Sequence, residues 1–135
     1  TFETSRAAAR SMAANGGGAI VHVGTFGTHS LPPRQAAYTS TKQAMESASR
    51  TLAKELGPSN IRVNVVCPFA NSEGVQGWSQ AFPDDYGKSL KRVPLQRVGD
   101  THTDIGATVA FLIGPDASYL TAQTIHLDGG TGTYR

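Results

Sequence analysis

One segment of the sequence carries a tyrosine and a lysine at a spacing that suits proton transfer. Tyr38 and Lys42 are four residues apart, about one helical turn, so both side chains are expected on one face of a helix. They fall in its first turns, where the helix dipole is positive. The ammonium group and the dipole both favour a tyrosinate, which can exchange a proton with an alcohol or a carbonyl oxygen. The alternative is a tyrosine packed at a helix start beside a solvated lysine.

A hydroxyl group precedes this pair. Thr25 lies 13 residues before Tyr38, just past a short β-branched run. Because parallel α/β sheets bind ligands at the carboxyl ends of their strands, Thr25 is a candidate to hydrogen-bond the substrate oxygen that Tyr38 protonates. An ordinary loop threonine is the alternative interpretation.

The elements that must position these side chains alternate between helices and strands. Periodicity and stop signals predict helices over residues 1–14, 35–56 and 103–113, and short apolar runs predict strands over 19–23, 61–67 and 124–127. Asp100 or Thr101 is the expected cap of the third helix. This alternation predicts right-handed crossovers and a parallel sheet of about three strands, with an open edge at the first strand.

Two segments lack a clear prediction of regular structure. Residues 24–33 are punctuated by Gly and Pro and are expected to form a loop. Residues 69–97 show no strong period, which in a compact domain is typical of a functional or mobile segment.

The composition argues against several classes of function. No apolar run approaches the ~20 residues that a membrane span needs. The net charge of +2 comes without a Lys/Arg cluster, so neither a membrane nor nucleic acid is an expected partner. The single cysteine, Cys67, excludes an internal disulfide and favours a reducing cytoplasm; we expect it to be a buried, small apolar residue. The four histidines do not stand at metal-ligand spacings, so no metal site is predicted.

Seven stretches, in order and with matching spacing, resemble the short-chain dehydrogenase/reductase family. They are 18–23 (GAIVHV), 37–44 (AYTSTKQA), 53–57 (AKELG), 61–68 (IRVNVVCP), 94–100 (PLQRVGD), 109–112 (VAFL) and 120–130 (LTAQTIHLDGG). The resemblance covers nearly the whole chain. It implies an α/β fold, here a partial Rossmann-like, doubly wound parallel sheet with flanking helices.

The resemblance also implies a mechanism and a set of site residues. In the family, hydride passes between NAD(P) and a carbon atom while the tyrosine acts as acid or base. The lysine holds the nicotinamide ribose, and a serine polarises the carbonyl. Tyr38 and Lys42 match directly, and Thr25 occupies the serine position. The resemblance assigns Pro68, Asn71 and Ser72 to the flank of the cofactor site, and Thr25, Phe69 and Trp78 to the substrate-binding side. In the family the segment after Pro68 is a lid over the substrate. The alternative for Phe69 and Trp78 is that they anchor this lid to the rest of the domain.

Several positions depart from the family pattern. Gly24 and Thr25 replace a pair that often begins with Ser, Phe69 stands where Gly is usual, and Glu73 occupies a position where Thr contacts the carboxamide. The Gly-rich phosphate loop is not found, because residues 16–18 precede a strand instead of following one. We therefore expect residues 1–135 to be the C-terminal catalytic and substrate-binding half of a single Rossmann-like domain.

Two functions remain open on the sequence. The first is an NAD- or NADP-dependent oxidoreductase that interconverts a small alcohol and a ketone; we do not expect residues 1–135 alone to bind the cofactor. The second is a non-catalytic domain of the same fold, kept for association. In the family the first and second long helices form the dimer interface, so a homo-oligomer is expected in either case.

Overall fold

Three parallel strands form one sheet in the order β1–β2–β3. The computed structural model describes residues 1–30 and 33–132. β1 is Gly18–Val23, β2 is Ile61–Pro68 and β3 is Thr124–Leu127. β1 pairs with β2 from Gly18↔Ile61 to Val23↔Val66, and β2 pairs with β3 from Val65↔Thr124 to Pro68↔Leu127. The carboxyl ends of the three strands therefore share one edge, and the predicted parallel α/β sheet, with β1 at its border, is confirmed.

Helices connect and flank these strands. They are α1 (Phe2–Ala14), α2 (Gly27–Ser30), α3 (Ala36–Leu56), α4 (Glu73–Ala81), α5 (Pro83–Leu90) and α6 (Ala107–Ile113), with 3-10 turns at Gly57–Ser59 and Pro115–Ala117 and a π-helical turn at Thr101–Gly106. The long helix predicted over 35–56 is confirmed to within one residue. No helix in the described residues is both long enough and apolar enough to cross a bilayer.

Both connecting segments contain helices that the sequence pattern did not predict. Residues 69–97 contain α4 and α5, and residues 24–33 contain the single turn α2. The helices α4 and α5 span nine and eight residues, too short to show a strong apolar period. The local signals are at their starts: the Ser72 side chain accepts a hydrogen bond from the Val75 N–H, and Pro83 occupies the first turn of α5.

The third predicted helix begins earlier than expected and begins irregularly. The π-helical turn Thr101–Gly106 leads into α6, and Asp100 caps it by accepting hydrogen bonds from the N–H groups of His102 and Thr103 at 2.9 and 2.7 Å. Of the two residues proposed as caps, Asp100 is therefore correct. The Asp104 carboxylate anchors the turn by a two-pronged ion pair with Arg97, at 2.5 and 2.9 Å.

The core is built on the central strand. β2 has six buried residues among its eight, as a strand covered on both faces requires. Val63 packs against Leu52 and Ala53 of α3 in the main apolar cluster. This contact fixes α3 against the sheet and so places the amino-terminal turns of α3 near the carboxyl end of β1.

A buried histidine joins β1 to both α1 and α3. The two ring nitrogens of His22 lie 2.8 Å from Ser5 Oγ and 2.6 Å from Ser49 Oγ. The two hydroxyls also lie 2.9 and 2.7 Å from the carbonyl oxygens of Thr1 and Met45, so each has a second acceptor for its one proton. Burial lowers the pKa of His22 below its usual 6.5, so the neutral ring is favoured.

The amino-terminal ends of β1 and β2 are held together by Asn60. Asn60 adopts a left-handed conformation with φ 57°, its carbonyl oxygen accepts from the Gly18 N–H at 3.1 Å, and its side-chain amide donates to the Gly16 carbonyl at 3.0 Å. Gly17 has φ 129°, and a Cβ there would collide with Asn60. Residues 16–18 thus lead from α1 into β1 and contact the residue that precedes β2.

Candidate active site

Tyr38 and Lys42 stand at the edge of the sheet where the strands end. The Lys42 Nζ donates a hydrogen bond to the carbonyl oxygen of Val23, the last residue of β1, at 2.8 Å. The same nitrogen lies 5.9 Å from the centre of the Tyr38 ring. Tyr38 is 47% exposed, so its ring is open to a ligand. The two side chains predicted to share a helix face are therefore brought together at a strand terminus.

The first turn of α3 sets the direction of Tyr38. The next residue, Thr39, is buried, and its hydroxyl donates to the Gln35 carbonyl at 2.9 Å. The Thr41 hydroxyl donates to the Tyr38 carbonyl at 2.7 Å. Such bonds from threonine to the preceding turn hold the backbone of a helix start. With Thr39 facing the body of the protein, Tyr38 points outward from the same turn.

Thr25 is held in the loop that follows β1. It is 8% exposed, and its Oγ1 accepts a hydrogen bond from the Gly27 N–H at 3.2 Å. Its carbonyl oxygen accepts from the N–H and the hydroxyl of Thr28, at 3.3 and 2.8 Å. Among the groups that the structure describes, none accepts the Thr25 hydroxyl proton. A threonine hydroxyl that accepts one bond and keeps its proton free can donate to a ligand oxygen.

Beneath this loop lies a buried polar cluster that the sequence analysis did not identify. Glu46, on α3, is 1% exposed, and its Oε1 accepts hydrogen bonds from the Thr28 hydroxyl at 3.1 Å and from Cys67 Sγ at 3.7 Å. Burial and the neighbouring Glu46 carboxylate raise the pKa of the Cys67 thiol to about 12. The buried thiol agrees with the prediction made for Cys67.

The signal for Glu46 was present in the helical spacing. Thr39, Glu46, Ser49 and Ala53 are buried positions of α3 at steps of seven, three and four residues. Such steps place side chains on one face of a helix. A glutamate on the buried face of a predicted helix is a conspicuous exception to the usual exposure of that residue.

The residues assigned to the cofactor flank follow directly after β2. Pro68 ends that strand, and Asn71 and Ser72 are exposed in the turn before α4. The Asn71 N–H donates to the Gly99 carbonyl at 2.8 Å, while Ser72 Oγ serves as the cap of α4. Glu73 lies in the first turn of that helix, where a negative charge is favoured by the dipole.

The aromatic residues assigned to the substrate side make contacts within the protein. Phe69 is 2% exposed, and its ring centre lies 4.5 Å from that of Phe26. Trp78, on α4, makes an edge contact with Tyr86 of α5, with ring centres 5.5 Å apart. Phe69 thus packs the Thr25 loop onto the end of β2, and Trp78 joins the two helices that follow.

Acid–base chemistry is what this arrangement offers. A half-exposed phenol, an ammonium group and a hydroxyl are gathered at one sheet edge, in the position where α/β proteins bind ligands. In the described part of the chain, no three His, Cys, Asp or Glu side chains are close enough to hold a metal ion.

Comparison with known proteins gives the family. The family model described as enoyl-(acyl carrier protein) reductase matches residues 1–132. The chain is 39% identical over 98 residues to a 12alpha-hydroxysteroid dehydrogenase of a Clostridium species, covering 73% of this chain and 38% of that protein. The structure of a short-chain type dehydrogenase/reductase from Mycobacterium ulcerans matches with a TM-score of 0.85 at 30% identity, covering 95% of this chain and 46% of that one.

The chain belongs to the short-chain dehydrogenase/reductase family. A crystal structure of NAD+-bound xylitol dehydrogenase also matches, with a TM-score of 0.83 at 29% identity, covering 96% of this chain and 55% of that one. This chain therefore spans about half the length, or less, of these three relatives. The resemblance inferred from the sequence motifs is confirmed.

Proposed function

We propose that the complete natural polypeptide carrying these residues is an NAD(P)-dependent oxidoreductase that interconverts a small alcohol and a ketone. Residues 1–135 would form its catalytic and substrate-binding half. The observation that carries the proposal is the hydrogen bond from Lys42 Nζ to the Val23 carbonyl. It ties the Tyr38–Lys42 face of α3 to the strand end from which the Thr25 loop departs.

Each of the three side chains has a distinct task in the direction of alcohol oxidation. Tyr38 takes the proton of the substrate hydroxyl as the general base, and the Thr25 hydroxyl donates a hydrogen bond to the same oxygen. The Lys42 ammonium places a positive charge 5.9 Å from the centre of the Tyr38 ring. In the reverse direction Tyr38 returns the proton to the carbonyl oxygen, and Thr25 stabilises the charge that develops there.

The residues present fit one end of a nicotinamide cofactor. An ammonium group has three donors, and Lys42 uses one on Val23, which leaves two for ribose hydroxyls within the part of the protein described. Asn71, exposed beside Pro68, presents a side-chain amide at the same sheet edge. A bound nicotinamide would accept the hydride from the carbinol carbon, or return it to the carbonyl carbon. Either NAD or NADP is compatible with these residues.

The substrate would reach this edge beside the helices that follow β2. The Trp78–Tyr86 contact makes α4 and α5 one unit, and this unit begins only a few residues after Pro68. We assign Thr25, Trp78 and, through its packing on Phe26, Phe69 to the substrate side. A small-molecule alcohol or ketone, with neither nucleic acid nor a membrane as partner, is the proposed ligand class.

The complete protein is further proposed to be a cytoplasmic homo-oligomer. α3 is 21 residues long and has exposed small residues such as Ala37 and Ala44, and α1 exposes Phe2. Long helices with exposed small and apolar residues suit a symmetric helix-to-helix interface. The unpaired, buried Cys67 suits a reducing compartment.

The decisive experiment removes a single oxygen atom. In the complete polypeptide, Tyr38→Phe is expected to lower kcat by at least ~100-fold, as the loss of a general acid–base does. Turnover is followed by the absorbance of the reduced nicotinamide with a panel of secondary alcohols and ketones. Tyr119→Phe, at a fully exposed tyrosine, is the matched control and should leave kcat unchanged.

The alternative of a non-catalytic association domain predicts a different pattern. The wild-type polypeptide would then form a stable oligomer and bind no NADH or NADPH in a calorimetric titration. Unchanged turnover in Tyr38→Phe would refute the role of that residue, while absence of both turnover and nucleotide binding in the wild type would favour the association domain.

A further inference from the structure

Glu46 is an ionisable side chain in the core that the proposed reaction does not use. It is 1% exposed, and among the described residues its carboxylate has hydroxyl and thiol donors but no ion-pair partner. Burial of a carboxylate is costly unless hydrogen bonds or a charge compensate it. Donors as weak as a thiol offset only part of this cost. Because burying this carboxylate costs free energy, we ask what its position in the fold contributes.

The position of Glu46 connects the two parts of the candidate active site. It lies four residues after Lys42, on the helix that carries Tyr38. The Thr28 hydroxyl shares its one proton between the Glu46 carboxylate, 3.1 Å away, and the Thr25 carbonyl oxygen, 2.8 Å away, and the Thr28 N–H donates to the same carbonyl. Glu46 is therefore one hydrogen-bonded residue away from the backbone of Thr25.

A second branch of the network reaches the end of β2. The Cys67 thiol donates to Glu46 Oε1 at 3.7 Å, the same oxygen that accepts from Thr28. Cys67 also lies directly beneath the residue before Thr25, because a Cβ on Gly24 would be 2.7 Å from the Cys67 sulfur. Glu46 links three elements: the helix of Tyr38, the loop of Thr25 and the end of β2.

We propose that Glu46 is a positioning residue that holds the Thr25 hydroxyl in register with Tyr38 and Lys42 by bonding Thr28 and Cys67 beneath the loop. This proposal rests on the proposed function of the same site. The Thr25 hydroxyl and the Tyr38 phenol must meet on one substrate oxygen, and errors of about 1 Å in such alignments cost up to ~100-fold in rate. The network fixes the loop backbone from below, and the hydroxyl face stays free for the substrate.

The space around the network supports this role. A Cβ on Gly24 would lie 2.7 Å from Cys67 Sγ and 3.4 Å from Glu46 Oε1. A Cβ would therefore collide with the Cys67 sulfur and crowd a Val65 methyl group at 3.1 Å, whereas Glu46 would be in ordinary contact. The glycine leaves room for the thiol that donates to Glu46.

The test compares two substitutions of Glu46 in the complete polypeptide. Glu46→Gln retains an oxygen that accepts from Thr28 and should keep kcat within about threefold of the wild type. Glu46→Leu removes the acceptor, and kcat should fall by about 10- to 100-fold, with the Kd for the nicotinamide nucleotide changed by less than about threefold. Rescue by glutamine relative to leucine separates positioning from the simple filling of space.

Ser49→Ala supplies the matched control. Ser49 is also buried on α3, one turn further on, but it bonds His22 and not the Thr25 loop. It should lower the free energy of unfolding without lowering kcat. Thr28→Val, which removes the bridging hydroxyl, should lower kcat like Glu46→Leu, and the double variant should lose little more than either single variant because both break one chain of bonds.

A readout independent of turnover is the hydrogen exchange of peptides covering residues 24–28. Exchange there should accelerate in Glu46→Leu and stay near the wild-type rate in Glu46→Gln and Ser49→Ala. If Tyr38→Phe abolishes turnover while Glu46→Leu keeps the wild-type kcat and exchange, the positioning role is wrong and the proposed function stands. If Tyr38→Phe leaves turnover unchanged, the proposed function itself fails, and faster exchange in Glu46→Leu would then show a purely structural anchor.

Discussion

At the residue scale, Gly24 makes the sharpest prediction about stability. A Cβ there would approach Cys67 Sγ to 2.7 Å and a Val65 methyl group to 3.1 Å, both in the packed core. Gly24→Ala in the complete polypeptide should therefore lower the free energy of unfolding by about 1–3 kcal/mol, as overpacking of a core does. Denaturant unfolding measures the change.

Gly77 provides the opposite case for comparison. It lies inside α4, and nothing is within 4 Å of the position that a Cβ would occupy. Gly77→Ala should raise the stability of that helix by up to ~1 kcal/mol, because alanine loses less backbone freedom on folding. An equal effect of alanine at the two positions would show that steric crowding at Gly24 is not the determining factor.

The chemistry of individual residues was only partly readable from the sequence. Tyr38, Lys42 and Thr25 stood out because their types and spacing fit a reaction, and the structure places Tyr38 and Lys42 at the end of β1. Glu46 was missed because its role depends on Thr28 and Cys67, which lie on other elements. Hydrogen bonds between elements leave no spacing pattern along the chain. A glutamate on the buried face of a predicted helix nevertheless indicates a buried polar residue that needs partners.

At the scale of elements, the π-helical turn Thr101–Gly106 depends on carboxylates. Hydrogen bonds from Arg97 and from the Asp100 N–H, together with the charge of Arg97, lower the pKa of Asp104 to about 2. Because the pKa of Asp104 is lower in the folded protein than its ordinary value of about 3.8, the ionised carboxylate adds to the free energy of unfolding. This contribution is present in full above about pH 4. The contribution should be lost as the pH falls through this range towards about 2.

The variant Asp104→Asn should flatten the acid side of the stability profile. Urea unfolding across that pH range compares it with the wild type and with Asp84→Asn, at an exposed aspartate in the first turn of α5. The Asp84 variant should follow the wild-type curve. If Asp104→Asn follows it as well, the ion pair with Arg97 does not stabilise the turn.

Element prediction succeeded where apolar patterns were long and failed where they were short. The 21 residues of α3 carry a clear period and end at a Gly-Pro pair, so that helix was predicted almost to the residue. The helices α4 and α5 have no buried residues, so no apolar stripe marks them. Their starts at Ser72 and Pro83 were the available signals, because capping groups act locally whereas periodicity reports burial.

At the scale of the whole molecule, His22 couples three elements to pH. Because burial lowers its pKa in the folded state, the unfolded chain binds a proton more readily than the folded one near pH 6.5. The stability contributed by the neutral ring is therefore complete above about 6.5 and should decrease as the pH falls below that value. Chemical unfolding at a series of mildly acidic pH values measures the slope.

Replacement of His22 removes the titrating group from the core. His22→Asn should reduce the pH dependence of unfolding in mildly acidic solution, even if the variant is less stable overall. His102→Asn, on the surface, is the control and should keep the wild-type slope. A wild-type slope in His22→Asn would assign the pH dependence to other groups.

The hydrogen bonds that Asn60 makes with Gly16 and Gly18 have a consequence at the opposite end of the sheet. The parallel pairing runs without interruption from Gly18↔Ile61 to Val23↔Val66, so the alignment chosen at Asn60 is transmitted along about 16 Å of strand to the reaction centre. The Gly24 N–H donates to the Val66 carbonyl at 2.7 Å, and Lys42 donates to the Val23 carbonyl, only if β1 and β2 end level with each other. The alignment of the catalytic side chains would then depend on a turn at the opposite end of the sheet, which neither substrate nor cofactor contacts.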